Sequence, residues 1–169
     1  MTIVLEIKGL EELRQKLQTS PAAFREASIA ALTRCAIRAH RDAVANAPRS
    51  PSQEEFDGIV GQPGGNKKKT PSKRKFTPGG LERSIAWSVD TQALEATVHV
   101  SASSEAASYA EKIHDGDYNL GVGSRNKSAA GAGKVGPKFI TRAIEDNAGY
   151  FKNVLRQETN KALEKYKLK

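Results

Sequence analysis

The sequence concentrates positive charge in one short segment that could neutralise an anionic partner. The cations of this basic cluster are Lys67, Lys68, Lys69, Lys73, Arg74 and Lys75. Six charges within nine residues could contact several phosphates, and such binding would weaken steeply as salt is added. Only Phe76 lies beside them to stack on a base. Because charge alone does not identify a partner, three interpretations stay open: nucleic acid, an acidic protein surface, or solubility.

The residues that could carry catalysis are scattered. The three histidines, His40, His99 and His114, form no cluster in the sequence. The one cysteine, Cys35, precedes His40 by five residues, which places the two side chains about 140° apart round a helix. A nucleophile needs a base beside it, and no motif of that kind is visible. We therefore predict that the protein is not an enzyme and uses no cofactor, with a small hydrolase as the weakest alternative.

Two stretches approach known ligand-binding motifs without completing them. The first has the spacing of a calcium loop, formed by Asp115, Asp117 and Asn119. Leu120 replaces the turn glycine of that loop, and Asn126 stands where a bidentate Glu is required. The second, residues 131–136, matches GxGxxG but follows no buried strand. We interpret both as loop composition and predict no metal site.

Composition indicates one domain, 1–169, with a thin hydrophobic core. Alanine accounts for 23 of the 169 residues, whereas Leu, Ile, Val and Phe together account for 34. No apolar run approaches the roughly 20 residues that a bilayer span needs, so we predict no membrane contact. The first residues lack the pattern of a secretory signal, and we expect the chain to be intracellular when made.

Two segments are predicted to be long flexible loops. Residues 49–80 hold four of the seven prolines and contain the basic cluster, and they carry +4 of the net charge of +8. Residues 116–136 are rich in glycine and contain little that could be buried.

Between these loops, hydrophobic periodicity predicts regular elements. In the N-terminal half, it predicts a strand over Ile3–Ile7, a short helix over residues 10–17 and a helix of about 25 residues between Pro21 and Pro48. In the C-terminal half, it predicts a hairpin from 81–89 and 94–100, a short helix ending near Ile113 and a terminal helix from Pro137 to Tyr166. The predicted fold class is α+β: a small antiparallel β-sheet packed against the long helix of the N-terminal half and the C-terminal helix.

The terminal helix has the clearest apolar face. Ile144, Phe151 and Leu155 follow at steps of seven and four, so they share one side of the helix. We predict that part of this face is an assembly interface, because the core of the domain is thin. Gly149 lies within the helix, where a kink or a close neighbour is expected.

Five short motifs, in order along the chain, resemble the neck or tail-completion proteins of long-tailed bacteriophages, the family that includes the minor tail protein Z type. They are Gly9-Leu10-Glu11-Glu12-Leu13, Asn46-Ala47-Pro48, Gly80-Leu81-Glu82-Arg83-Ser84-Ile85, the segment from Tyr109-Ala110 to Gly116, and the segment from Pro137-Lys138-Phe139 to Ala143. Each motif is weak alone, but the five in this order cover most of the chain.

The resemblance implies a structural protein of the virion, in the tail or neck, that is assembled in the host cytoplasm. It also implies a homo-oligomeric ring, hexameric or dodecameric, that contacts head-closure and tail-terminator or tail-tube proteins. Two alternatives stay open: a basic nucleic-acid-binding protein that contacts DNA through the basic cluster, and a tail-tube terminator. The sequence departs from the family pattern by about 28 residues inserted after Pro48, which include the basic cluster.

Overall fold

The computed structural model describes residues 2–5, 21–50, 79–116 and 119–165. Its strands are β1 (Thr2–Leu5), β2 (Ile85–Asp90) and β3 (Glu95–Val100). Its helices are α1 (Pro21–Asn46), α2 (Gly80–Ser84), α3 (Ala107–Asp115), α4 (Val122–Ala129), α5 (Phe139–Glu145) and α6 (Ala148–Lys165). The predicted helix over residues 10–17 lies outside the described residues.

Helix α1 is the centre of the fold. Pro21 occupies its first position, where a missing N–H costs nothing, and the helix ends just before Pro48. Its buried side is made mainly of alanine, so neighbouring backbones can approach closely. Strands β2 and β3 pack against α1, and so do α5 and α6. The prediction of a long helix in this segment is confirmed, at 26 residues.

The sheet is antiparallel and has the order β1-β3-β2 within the described residues. Val98 on the central strand lies opposite Ile3 on one side and Trp87 on the other. Ala96, Val98 and Val100 are buried against α1, since alternate residues of a strand point to the same face. The hairpin is confirmed over β2 and β3, but residues 81–84, predicted as strand, belong to α2.

The C-terminal segment forms two helices instead of the single one predicted. The break falls at Asp146–Asn147, where the Asn147 side chain donates hydrogen bonds to the Ala143 carbonyl and the Asp42 carboxylate, both at 2.8 Å. The Asn147 carbonyl accepts from the Phe151 N–H and so starts α6. Gly149 lies inside α6, and a Cβ added there would meet no atom within 4 Å, so the helix is interrupted by asparagine capping and not by glycine.

The prediction of a loop throughout residues 116–136 is wrong over α4. Gly123, Ser124 and Lys127 are buried in this helix, although the segment has almost no large apolar side chain. Polar contacts with the end of α1 hold α4 in place, and hydrophobic periodicity does not report such contacts.

The fold class is α+β, as predicted, with a small antiparallel sheet and a long N-terminal helix. One detail differs from the prediction that the C-terminal helix packs against the sheet. Helix α6 packs along α1, while α5 contacts both α1 and β1. The long helix thus separates the sheet from the last helix.

Candidate functional site

The basic cluster lies outside the described residues, and so does most of the segment that contains it. The chain leaves the described fold after Ser50 and returns at Gly79. The residues that flank these two points belong to the described fold, and α4 contacts both flanks.

Lys127 joins the two flanks. Its ammonium donates to the Val44 carbonyl at 2.6 Å and to the Ala47 carbonyl at 2.8 Å, and it forms an ion pair with the Glu82 carboxylate. The Lys127 side chain is 9% exposed, so these three acceptors replace the hydrogen bonds to water that the ammonium loses on burial. Two of them are carbonyls at the C-terminal end of α1, where the helix dipole favours a cation. We call this group the Lys127 cluster.

Ser124 adds a second connection from α4 to the first flank. Its hydroxyl donates to the Arg49 carbonyl at 3.1 Å and accepts from the Arg49 N–H at 3.0 Å. These two bonds satisfy the backbone of a residue that follows Pro48, just beyond the end of the helix. We call residues 51–78 the basic segment; the residues that flank it on both sides are therefore held by the same helix, α4.

The GxGxxG stretch also packs against the end of α1. The Asn46 side chain accepts from the Lys134 N–H at 3.0 Å, and the Asn46 carbonyl accepts from the Gly136 N–H at 3.1 Å. At Gly133, where φ is 126°, an added Cβ would lie 2.9 Å from the Asn46 side-chain oxygen. These glycines allow a close backbone approach, which accounts for the motif without a phosphate ligand.

His114 is buried at the contact between α3 and the start of α5. Its Nδ1 donates to the Asp115 carboxylate at 2.6 Å, which leaves Nε2 to accept from the Thr141 hydroxyl at 3.3 Å. The edge of its ring meets Phe139 with centroids 5.1 Å apart, and its carbonyl accepts from the Lys138 N–H at 2.7 Å. Both ring nitrogens of His114 thus have a partner within the fold, as in a structural histidine.

The motifs of the phage resemblance contact one another in pairs. The segment from Tyr109 to Gly116 meets the segment from Pro137 to Ala143 through His114, as described above. Asn46-Ala47-Pro48 meets the segment from Gly80 to Ile85 through Lys127. The core positions within these four motifs are Ala47, Leu81, Ile85, Ala110, Phe139, Ile140 and Ala143. The first motif, residues 9–13, lies outside the described residues.

The three residues predicted as an assembly interface belong to the subunit's own core region. Phe151 is 3% exposed, and Ile144 and Leu155 are half-buried and pack against the core cluster. The apolar face of α6 is directed at α1, which buries Phe151 within the subunit, and an assembly interface at Ile144, Phe151 and Leu155 stays a prediction.

Cationic side chains lie along the solvent-accessible edge of the contact between α1 and α6. Arg34 and Lys161 both pair with Glu158, and Arg38 pairs with Asp42 while its guanidinium lies 5.6 Å from the centre of the Tyr150 ring. The hydrogen bond from Lys161, followed by that from Arg34, holds the pKa of Glu158 below its usual range. The bond to Glu158 likewise raises the pKa of Arg34. Both shifts favour the charged forms of Arg34 and Glu158, which form the ion pair.

The fold does not bring Cys35, His40 and His99 together. Burial raises the pKa of the Cys35 thiol to about 11, so the thiolate that reacts and binds metals is suppressed. His40 donates from Nε2 to the Ile85 carbonyl at 3.1 Å, and His99 is half-buried on the sheet. Among the residues that the structure describes, no three His, Cys, Asp or Glu side chains are grouped to hold a metal ion.

Comparison with known proteins gives no relative: no family model, no curated protein and no solved structure matches the chain. Within the described part of the chain, no helix is both long enough and apolar enough to cross a membrane.

Sequence reasoning missed the Lys127 cluster. Lys127 stands in a run of Ser, Gly and Ala, and its partners Glu82 and Val44 are 45 and 83 residues away. Nothing local distinguishes it from a solvent-exposed lysine. The one usable signal was the position of Asn46-Ala47-Pro48, since a helix end must find partners for its last carbonyl groups.

Proposed function

We propose that the protein is a structural component of a phage virion, located in the neck, where it completes the tail and joins it to the head as part of an oligomeric ring. The proposal rests on five short motifs in the order typical of the neck and tail-completion family. In this role the chain binds neighbouring proteins and performs no catalysis.

The observation that carries the proposal is the pairing of motifs in space. Four of the five motifs lie in the described residues, and they meet as two pairs although the members of each pair are separated along the chain. Motifs that specify a shared fold would contact one another in this way, which supports the resemblance.

The composition of the subunit also favours an assembly. Alanine provides much of the buried side of α1, and few large apolar residues remain to build a core. A domain with so small a core gains stability when it binds copies of itself or other proteins. A ring at the junction of head and tail offers such contacts on several sides.

The test is loss and restoration of head–tail joining in the phage that encodes the chain. A nonsense mutation in the gene should leave filled heads and complete-length tails unjoined, as seen by electron microscopy of the lysate. Adding the purified wild-type protein to that lysate should restore plaque-forming particles. Normal particles without the protein would refute the proposal.

The second candidate is a nucleic-acid-binding protein, which the basic cluster favours. Replacing its six cations, Lys67 to Lys75, with glutamine should then abolish binding to duplex DNA at 50 mM salt. Under the neck proposal, the same variant still joins heads to tails, because the family pattern lacks this insertion.

A further inference from the structure

A groove beside α1 combines three guanidinium groups with two exposed apolar side chains. Its lining residues are Arg34, Ile37, Arg38, Arg41 and Tyr150, and we call it the arginine groove. Ile37 is 49% exposed and Tyr150 is 40% exposed, so neither side chain is covered by the described fold. The groove has a volume of about 220 Å³. A cavity of about 150 Å³ holds benzene, so the arginine groove has room for an aromatic ring.

The arginine groove has more cations than carboxylates. Asp42 is shared by Arg38 and Arg41, while Arg34 pairs with Glu158. The side chains of these two acids are 23% and 12% exposed, whereas that of Arg41 is 66% exposed. The outer layer of the groove is therefore positive, and apolar side chains lie between the charges. A ligand that matches both properties carries negative charge on either side of an apolar group.

One stretch of the basic segment has this composition. It reads Glu54-Glu55-Phe56-Asp57, which places three carboxylates around one aromatic ring. These three are also all the acidic residues of the basic segment, so its negative charge is concentrated in four positions. Because the four residues are contiguous, their charges lie together without any tertiary structure. We call residues 54–57, which lie outside the described residues, the acidic motif.

The acidic motif is close enough in the chain to reach the groove of its own molecule. Helix α1 ends at Asn46, the described fold continues to Ser50, and the motif begins four residues later. Arg41 is five residues before the end of α1, which is about 8 Å along the helix axis. Four residues of extended chain span about 13 Å, and seven span about 23 Å. A chain that turns back along α1 after Ser50 can therefore place the motif on the groove.

We propose that the acidic motif occupies the arginine groove of the same molecule, with the Phe56 ring on Ile37 and Tyr150 and the carboxylates on the arginines. Guanidinium and carboxylate groups match in geometry, and the ring covers apolar surface that is otherwise exposed to water. The contact neutralises the groove and ties the start of the basic segment to α1. The basic cluster is then the part of the chain that is left to meet an anion. The inference goes beyond the proposed function and does not depend on it.

The composition of the groove favours this occupant over a nucleic acid. A phosphate backbone matches the charges of the groove, but it offers nothing to bury against Ile37. A segment tethered this close to its site has an effective concentration on the order of millimolar. A contact too weak to hold a separate peptide can therefore form within the molecule.

Fluorescence from the position of Phe56 tests the contact in the full-length protein. The reporter protein carries Trp87→Phe, which removes the only native tryptophan, and Phe56→Trp. In the groove, the new indole should be shielded from quenching by acrylamide. Adding Arg41→Glu, at a side chain 66% exposed, brings like charges together and should lower the docking equilibrium constant about fivefold. Quenching of the indole should increase accordingly.

The matched control adds Lys152→Glu to the reporter, which changes the net charge as much as Arg41→Glu does. Lys152 is exposed and lies about 160° round α6 from Tyr150, so the indole should stay shielded. A third variant removes the charges of the acidic motif by changing both glutamates to Gln and the aspartate to Asn, and it should release the indole. Arg41→Glu should then add nothing, because the two changes remove one interaction. Circular dichroism should show all variants folded.

Four results would overturn the proposal. The first is an indole that is quenched in the reporter as strongly as in concentrated urea, and the second is equal quenching in the Arg41→Glu and Lys152→Glu variants. The third is shielding that increases with protein concentration, which would assign the groove to the acidic motif of a second copy. The fourth is loss of duplex DNA binding by Arg41→Glu with shielding unchanged, which would assign the groove to a phosphate backbone.

Discussion

Lys127 is the buried cation that links the end of α1 to the residues of α2. Replacing it with methionine would leave the Glu82 carboxylate and the Ala47 carbonyl without their partner in a partly buried place. Breaking a buried ion pair from one side is costly, so we expect Lys127→Met to lower the free energy of unfolding by about 3 kcal/mol. Urea unfolding followed by circular dichroism measures this loss.

Lys134 provides the control for that variant. Its side chain is largely exposed and pairs with Asp146 on the surface, so Lys134→Met should change stability by less than about 0.5 kcal/mol. Adding Glu82→Gln to Lys127→Met should cost less than the two changes separately, because they share one interaction. Equal stability of Lys127→Met and wild type would contradict the structural account of the Lys127 cluster.

Glu158 makes the α1–α6 contact sensitive to acid. Its pKa is lowered in the folded state from an ordinary value of 4.5, so its contribution to stability is complete above that value. The contribution is lost as the pH falls through the lower, folded pKa. We expect Glu158→Gln to be less stable than wild type at pH 7 and the difference to shrink below pH 4.5. Thermal melts of both proteins at a series of pH values measure this difference in stability. A difference that does not change with pH would contradict the prediction.

At the scale of single residues, the sequence shows which side chains are present but not which groups they contact. Lys127, Asn147 and His114 can be read from the sequence, but their contacts include residues far away in the chain. Hydrogen bonds between distant residues leave no periodic pattern, so His114 could be described only as a residue at the start of a loop. Its burial follows from α3 meeting α5, which is a tertiary event.

At the scale of elements, the basic segment is expected to be dispensable for folding. Both of its flanks are held by α4, through Lys127 and Ser124. Replacing residues 51–78 with about eight Gly and Ser residues, which can span up to about 26 Å, should therefore leave the fold intact. Two successive halvings of a loop favour closure by about 1.2 kcal/mol, so the shortened protein should be no less stable. A lost or broadened thermal transition would refute this prediction.

Helix α6 contributes to the core through Phe151. The Phe151→Ala variant should lose about 3 to 5 kcal/mol of unfolding free energy, because the removed ring leaves a cavity against α1. Tyr150→Ala, one residue away and exposed, should cost about 1 kcal/mol or less from the lost Arg38 contact. Similar losses for the two variants in chemical denaturation would show that the face of α6 is assigned wrongly.

Elements with an apolar face were predictable, and elements held by polar contacts were not. The spacing of alanine and larger apolar residues predicts α1 and the hairpin, since burial of one face imposes a period on the sequence. Helix α4 buries Gly123, Ser124 and Lys127, so its sequence has no such period. The apolar period also continues across Asp146–Asn147, because α5 and α6 both pack on α1, and it therefore hides the break.

At the scale of the whole molecule, the distribution of charge is more informative than the total. A net charge of +8 suggests a polyanion as partner, yet residues 85–116 carry −4. The positive excess is therefore concentrated elsewhere in the chain, with +4 in residues 49–80 alone, and an anionic partner is expected to contact that segment first.

Electron microscopy of the purified protein with and without isolated tails tests the central claim most directly. The account predicts closed rings of uniform size attached to one end of each tail, at the end that meets the head. Native mass spectrometry of the released rings should then give a single whole-number multiple of the 18.3 kDa subunit. Tails that remain bare at saturating protein, while their heads stay unjoined, would contradict the account.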